Sequence, residues 1–440
     1  MKKKVYEVWG RWAITPGGVK ENWSLAVEGN RIIDAGKKGE MRRKYKFSDS
    51  LGGEDRLVCP GFVDTHMHSY QIATKGITPD MSLLEWLKRY IWKWEGGLTK
   101  EKAKACAEVA YLQMIRSGTT SFSDFTAVHH VEQAFRVADR FGLRGMIGKT
   151  LMDRNGPPEQ VEDTDFALRD SEKLLRKWNG RGNGRLGYAL TPRFALTCTD
   201  ELLSAAGEMA NKYGVFFRTH TDENTLERKG DMDMYGTGPI RHFEKLGLLN
   251  ERTLLAHCIW CTEKELRLLK KRKVKVAHCP GSNMFLASGV ANVPEMLRMG
   301  ITVGLGTDVA AYYNFSMMEQ MRLACLLQKV HRRDPHAMEH EKAFAMGTWM
   351  GAQALGMNDT GKLAKGMKAD ILLLSTNHLA FSPMNDPLSQ IVYSAFPSAV
   401  DTTICDGSVL MRGRKVLVAN SHMVMKEARE LLEMKVVLAQ

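Results

Sequence analysis

The chain has 440 residues, 44% of them apolar and 25% charged, and its Lys and Arg exceed Asp and Glu by 62 to 50, a formal net charge of +12. That length admits a large α/β barrel with a small companion domain, and the composition excludes a disordered or collagen-like chain. The eight cysteines have no framework spacing, which excludes a disulfide scaffold and implies reduced thiols in a cytoplasmic protein.

The N-terminus, Met1-Lys2-Lys3-Lys4-Val5-Tyr6-Glu7, is basic but leads into no apolar stretch of the kind a secretory signal needs. Short β-rich runs come next, at Val5 to Ile14, Trp23 to Val27 and Arg31 to Ala35, punctuated by Gly and charge. The same rhythm returns at Ala369 to Leu374, Thr402 to Cys405, Ser408 to Met411 and Lys415 to Val418. Neither set has strands enough for a core of its own. Residues 1–59 and 366–440 are therefore expected to pair into one small composite β-sandwich domain, closed by an amphipathic helix from Ser421 to Leu432.

Between them, residues 60–365 repeat a different unit, a short apolar run ending in polar or ionisable residues and succeeded by a helical pattern. The runs are Gly61 to Asp64, Thr119 to Asp124, Arg144 to Lys149, Arg185 to Thr191, Val215 to His220, Thr253 to His257, Val274 to His278 and Ile301 to Asp308. Eight strand-helix units predict a (β/α)8 TIM-like barrel with its active site at the C-terminal ends of the strands. Five of those ends carry imidazole or carboxylate: His66 and His68, His220, His257, His278 and Asp308.

The basic run Lys270-Lys271-Arg272-Lys273 closes an amphipathic stretch and suits a helix C-terminus. With no basic-aromatic interleaving and no bilayer-length apolar run, neither nucleic acid nor membrane is expected as a partner. Cys258 to Cys261 is a C-x-x-C with no second pair, too little for a zinc ribbon.

His66-Met67-His68 places two imidazoles on one face of a strand, within reach of a single ion. His220 and Asp308, from other strand ends, complete a nitrogen-rich set that leaves a position open for water. Imidazole and carboxylate suit zinc, the expected ion, and also iron. Such an ion acidifies its water and stabilises charge on the attacking oxygen.

The stretch Pro60 to His68 (PGFVDTHMH) resembles the opening motif of the amidohydrolase superfamily, in its aminohydrolase branch. The resemblance extends to His220 with Glu223, Ala256-His257-Cys258, His278 to Asn283 (HCPGSN), Gly306-Thr307-Asp308 and the Gly366 to Ile371 strand. Dinuclear members bridge two metals with a carboxylated lysine on the fourth strand. Arg185 to Thr191 has no lysine, and Lys149 sits on the third strand, so one metal is implied. Chemistry and resemblance together make Asp308 both ligand and base. They make His257 the group that orients the attacking water, and Glu223 the shuttle that carries a proton to the ring and then to the leaving amine.

Several stretches resemble guanine deaminases in particular. They are Gln71 after His68, Leu190-Thr191-Pro192-Arg193-Phe194, His220 to Asn224 with Glu227 beyond, and Gly304 to Ala310 with Tyr313 and Ser316-Met317. The resemblance implies that Gln71, Glu95, Arg193 and Phe194 bind substrate, the Arg fork reading a carbonyl and the Phe packing on the base. The expected activity is conversion of guanine to xanthine and ammonia. Trp92 and Trp94, beside Glu95, depart from that pattern. Related deaminases of adenosine derivatives also use a Glu near this position, which keeps open deaminases of adenosine, methylthioadenosine or S-adenosylhomocysteine, with cytosine and s-triazine aminohydrolases behind them.

Rivals of other classes fare worse. His130-Val131-Glu132 matches half of the cytidine-deaminase signature, but no P-C-x-x-C occurs. His340-Glu341 lacks the later His of a zincin. A metal-free scaffold on the same fold would have lost ligands that this chain keeps. A small heterocyclic amine is thus the expected partner, and a homodimer the expected assembly.

Overall fold

The computed structural model describes residues 4–77, 81–308 and 314–433. Met1-Lys2-Lys3, Val309-Ala310 and Tyr313, all named above, lie outside the described residues.

The small sheet takes strands from both ends of the chain: β1 (Val5–Thr15), β2 (Gly18–Glu28), β3 (Arg31–Lys37) and β4 (Ser50–Pro60) from the first. The barrel strands come next: β5 (Phe62–Met67), β6 (Thr119–Phe125), β7 (Arg144–Gly148), the two-residue β8 (Thr150–Leu151), β9 (Leu186–Pro192), β10 (Phe216–Thr221), β11 (Thr253–His257), β12 (Lys275–His278) and β13 (Thr302–Leu305). The last four, β14 (Ile371–Ser375), β15 (Val400–Cys405), β16 (Ser408–Arg412) and β17 (Lys415–Val416), return to the small sheet.

Strand order there is β17-β16-β15-β14-β4-β1-β2-β3, one continuous sheet. It closes on an apolar cluster to which both chain ends contribute, Val8, Leu25, Val27 and Val58 from one and Ile371, Leu373 and Ile404 from the other. The two segments complete each other because β4 pairs in parallel with β1 and antiparallel with β14. Helix Ser421–Leu432 closes the chain with the limits expected, its N-cap Asn420 accepting from the amides of His422 and Met423.

The barrel strands run β5-β6-β7-β9-β10-β11-β12-β13, all parallel. Nearly every residue of these strands is buried, as a sheet covered by helices outside and side chains inside requires. The seam between β5 and β13 is bridged where Thr65 Oγ1 donates to the Leu305 carbonyl at 2.9 Å and Asp308 N–H donates to the His66 carbonyl at 2.9 Å. Those two bonds bring the first and last strand ends, and their ligands, together.

Arg144, at the closed end of the barrel, ties the two parts to each other. It is buried, and its guanidinium donates to Asp370 Oδ2 at 2.9 Å and to Asp406 Oδ1 at 2.7 Å. Among the described residues no helix is long and apolar enough to cross a membrane. The basic run at residues 270–273 ends helix Glu263–Lys271, where Arg272 pairs with Glu244 and Lys270 donates to the Gly300 carbonyl.

Candidate metal and substrate site

His66, on β5, and His68, just past its end, are two residues apart and converge with His220 from β10 and Asp308 from beyond β13. One donor atom from each of the four lies within 4.8 Å of all the others, and all four residues are buried. His68 Nδ1 meets the Phe125 carbonyl at 2.7 Å and His220 Nδ1 meets the Arg193 carbonyl at 2.6 Å. A carbonyl only accepts, so each Nδ1 carries the proton and each Nε2 a lone pair. Those two Nε2 atoms stand 3.2 Å apart, and His66 Nε2 is buried with no hydrogen-bond partner. Facing lone pairs repel unless a cation lies between them. The donor set therefore fits one divalent ion, and the two carbonyls fix its imidazoles.

The electrostatics agree. Burial pushes His66 down to about 3 despite the Asp308 carboxylate, and burial with the neighbouring imidazoles pushes His220 well below the usual imidazole range, so both stay neutral as ligands must. Burial alone would raise Asp308, but the close approach of the His66 and His68 Nε2 atoms, each 3.2 Å from Oδ1, holds it well below the ordinary carboxylate range. Asp308 has φ +48° and His257 φ +72°, left-handed backbone that costs non-glycine residues on the order of 1–3 kcal/mol and gathers at functional sites.

His257, at the end of β11, sends Nδ1 to Asn283 Oδ1 at 3.0 Å and leaves Nε2 3.6 Å from Glu223 Oε2 and 3.8 Å from Asp308 Oδ2. With Asn283 holding Nδ1, Nε2 faces the space between the two carboxylates. Burial, and then the Asp308 charge, push Glu223 well above the usual carboxylate range, which favours its protonated form. The site thus sets a carboxylate held low, an imidazole and a carboxyl pushed high side by side, which is the equipment for moving protons.

A recess opens over these groups. Gln71, Arg193 and Phe194 line it, and so do Glu227, Leu83, Trp86, Leu87 and Leu286, which sequence reasoning did not single out as lining residues. Glu95 lies behind the wall, fully buried, with Oε1 accepting from Gln71 Nε2 at 2.6 Å and Oε2 from Arg193 Nη1 at 2.7 Å. Its carboxylate thus fixes both polar side chains of the recess. Trp92 and Trp94 are turned away from the opening. Trp92 packs in the cluster with Ile91, Met152 and Phe194, while Trp94 donates Nε1 to the Tyr70 carbonyl at 2.7 Å. The tryptophan at the recess is Trp86.

Supporting residues also emerge. Asp64 accepts from Thr307 N at 3.0 Å, Thr307 Oγ1 at 2.5 Å and His66 N at 3.2 Å, and so fixes the approach to Asp308. Burial pushes its carboxyl up to about 7 against the pull of those donors. Glu227 Oε2 accepts from the Glu223 amide at 2.8 Å. Glu227, named above with the His220 to Asn224 stretch, thus supports the backbone of Glu223 one helical turn before it. Lys149 is spent elsewhere, on Glu162 at 2.9 Å and Asp170 at 2.7 Å. His278 is buried with both ring nitrogens unpartnered, and it does not line the recess. Cys261 donates its thiol to Asp222 Oδ2 at 3.4 Å, and Glu132 pairs with Arg136 and Lys177, which leaves both motif fragments with ordinary partners.

Comparison with known proteins places this geometry. The profile of the Amidohydrolase family matches residues 57–410. The chain is 36% identical over 413 residues to a 5′-deoxyadenosine deaminase of Methanothermobacter thermautotrophicus, covering 94% of each chain. Among solved structures it resembles an adenosine deaminase from Xanthomonas campestris with bound zinc, at TM-score 0.92 and 24% identity over 97% of each chain. It also resembles the E. coli guanine deaminase, at TM-score 0.85 and 26% identity over 93% of this chain and 99% of that one.

Proposed function

The chain belongs to the amidohydrolase family, as a metal-dependent hydrolytic deaminase, and from that premise we propose that its substrate is an adenosine with its 5′ hydroxyl removed or replaced. The observation that carries this reading is the shape of the recess. Its floor holds Glu223, His257 and Asp308, and its side is an apolar wall of Leu83, Trp86, Leu87 and Leu286. A purine amine can meet the floor while a 5′-deoxy or 5′-thioether group lies on the wall. Each methylene buried there contributes about 0.8 kcal/mol, whereas a free 5′ hydroxyl would be stripped of water without a partner. The 36% identical relative, whose name specifies 5′-deoxyadenosine, supports the same choice.

One ion, zinc by its donor set, would be held by His66, His68, His220 and Asp308, and when bound it supplies Lewis acidity and an acidified water. The chain's own groups then divide the proton work. Glu223 passes its proton to N1 of the purine as water adds at C6. His257 Nε2, held by Asn283, orients that water by accepting from it. Asp308 Oδ2 takes the proton that the water loses and returns it to the exocyclic amine. As the C6–N bond breaks and ammonia leaves, the C6 hydroxyl returns a proton to Glu223, and the product carries a carbonyl oxygen at C6. Orientation of the purine rests on Phe194 and on Gln71 and Arg193, the last two pinned by Glu95.

Guanine is the second reading, favoured by one feature: Gln71 and Arg193 bring an amide and a guanidinium to the same recess. Ammonia release measured on 5′-deoxyadenosine, methylthioadenosine, S-adenosylhomocysteine, adenosine and guanine separates the two. The 5′-modified adenosines should be consumed, with kcat/KM about tenfold above adenosine, as expected for about 1–2 kcal/mol of apolar contact. Consumption of guanine with the adenosines untouched would replace the first reading by the second.

A further inference from the structure

Three donors beside the four-residue centre remain unassigned by the reaction as a set. A ring nitrogen of His257, Cys279 Sγ and a carboxylate oxygen of Asp308 lie within 4.8 Å of one another, and all three residues are buried. Tetrahedral ions hold sulfur at about 2.3 Å and imidazole nitrogen at about 2.0–2.1 Å, so donors this close can share one ion. His257 Nε2 is fully buried without a hydrogen-bond partner, while its Nδ1 is already engaged by Asn283. The Cys279 thiol has only a 3.8 Å contact to the Ala277 carbonyl. Gly306 leaves it room, since a Cβ there would stand 2.9 Å from the sulfur.

We propose that His257, Cys279 and Asp308 form a second divalent-cation site, selective for thiophilic ions such as zinc, which shares Asp308 with the first and stops turnover when filled. Sulfur and imidazole select zinc, cobalt or cadmium over magnesium and calcium. Binding releases one proton, as Cys–SH and the ion become a thiolate–metal bond and H⁺. Two dications on one carboxylate repel, so the second ion binds more weakly than the first and fills only in excess. Turnover stops because the ion occupies His257 Nε2 and Asp308, the two groups that face the attacking water. That loss rests on the deaminase reading; the binding itself does not.

Cobalt(II) titration of the full chain tests it. The first equivalent should give only weak d–d absorption, from nitrogen and oxygen donors. The second should add a strong near-ultraviolet thiolate-to-cobalt band. Cys279→Ser and Cys279→Ala should each lack that band while keeping the first equivalent, and Cys258→Ser should retain it. Zinc at about ten times the second site's Kd should lower wild-type turnover about tenfold by mass action, reversed by a weak chelator, and the Cys279 variants should resist it. No second equivalent in the wild type, or a band that survives Cys279→Ala, overturns the proposal. A Cys279-dependent band in a protein that releases ammonia from no purine sustains the metal site and rejects the deaminase reading instead.

Discussion

Replacing Glu95 by Gln separates a residue that organises the recess from one that touches the substrate. The side chain of Glu95 is 0% exposed and that of Arg193 4%, with Oε2 and Nη1 2.7 Å apart, so the pair is desolvated on both sides. Removing one partner of such a pair leaves a buried charge uncompensated, at a cost of about 3–5 kcal/mol. Glu95→Gln can still accept from Gln71, so the loss is concentrated in Arg193. Arg193→Met strands Glu95 instead, and the double variant strands neither. Urea denaturation of the four proteins should therefore give two destabilised single variants and a double variant at least about 2 kcal/mol more stable than additivity predicts. In kinetics, Glu95→Gln should raise KM on the order of tenfold, because the guanidinium and amide lose the carboxylate that aims them. Metal content should not change, since His220 is held by the Arg193 backbone carbonyl and not by its side chain. Additivity within about 0.5 kcal/mol, or an unchanged KM, would refute the organising role.

Glu223→Gln should lower kcat by about 10²–10⁴ with the metal retained. The wild-type kcat/KM should fall as pH rises through the raised Glu223 pKa, where the proton it delivers is lost, and the variant should lack that limb. Removing metal with a chelator should lower the melting temperature, because facing lone pairs then lose their cation. Restoring zinc at about a thousand times its Kd should return about 4 kcal/mol in calorimetry or denaturant titration. Asp231, buried and without a hydrogen-bond partner, is raised by burial and then by the Asp222 charge from 3.8 to about 7. The folded chain therefore holds that proton more tightly than the unfolded chain, and stability present below about pH 4 is lost as pH rises to about 7. At about 1.36 kcal/mol per unit the loss approaches about 4 kcal/mol. Asp231→Asn keeps the shape without the charge, so denaturation at about pH 4.5 and about pH 8 should show the variant gaining by that amount over wild type at the higher pH.

The barrel was legible because parallel strands covered on both faces are short unbroken apolar runs, and here each ends in residues too polar for the interior. All eight runs correspond to strands, with limits that differ by one or a few residues. The small sheet was less legible. Strand β4 reads Ser-Leu-Gly-Gly-Glu-Asp-Arg-Leu-Val-Cys-Pro, and its glycines and charges contradict β propensity. It is a strand nonetheless because it lies in the middle of the sheet, between β1 and β14, where partners on both edges satisfy its backbone. Gly52 explains the composition: it has φ +147° and sits so close to β1 that a Cβ would stand 2.0 Å from the Trp9 carbonyl oxygen. A local reading cannot see that approach, because β1 lies some forty residues earlier in the chain.

At the site, residues on strand ends were legible and residues on the connecting segments were not. His66, His68, His220, His257 and Asp308 are placed by the barrel itself, so knowing the strands was enough to gather them. The apolar wall comes from Leu83 to Leu87 and from Leu286, segments whose approach depends on how loops fold over the mouth. The tryptophans illustrate the difficulty. Trp86, Trp92 and Trp94 lie in one helical stretch, but the turn Leu87–Ile91 is a π-turn, which inserts an extra residue and rotates the later part of the helix relative to the earlier part. Leu83, Trp86 and Leu87, before or at its start, line the recess, whereas Trp92, in the same apolar cluster, and Trp94, in the main core, do not. At about 100° per residue Trp94 would share the face of Leu83, so regular helical spacing does not separate those two. The same rotation buries Glu95 behind the wall, where it reaches Gln71 and Arg193 together. The π-turn therefore links two features that sequence leaves separate, the apolar surface a substrate would meet and the carboxylate that sets the polar groups opposite it.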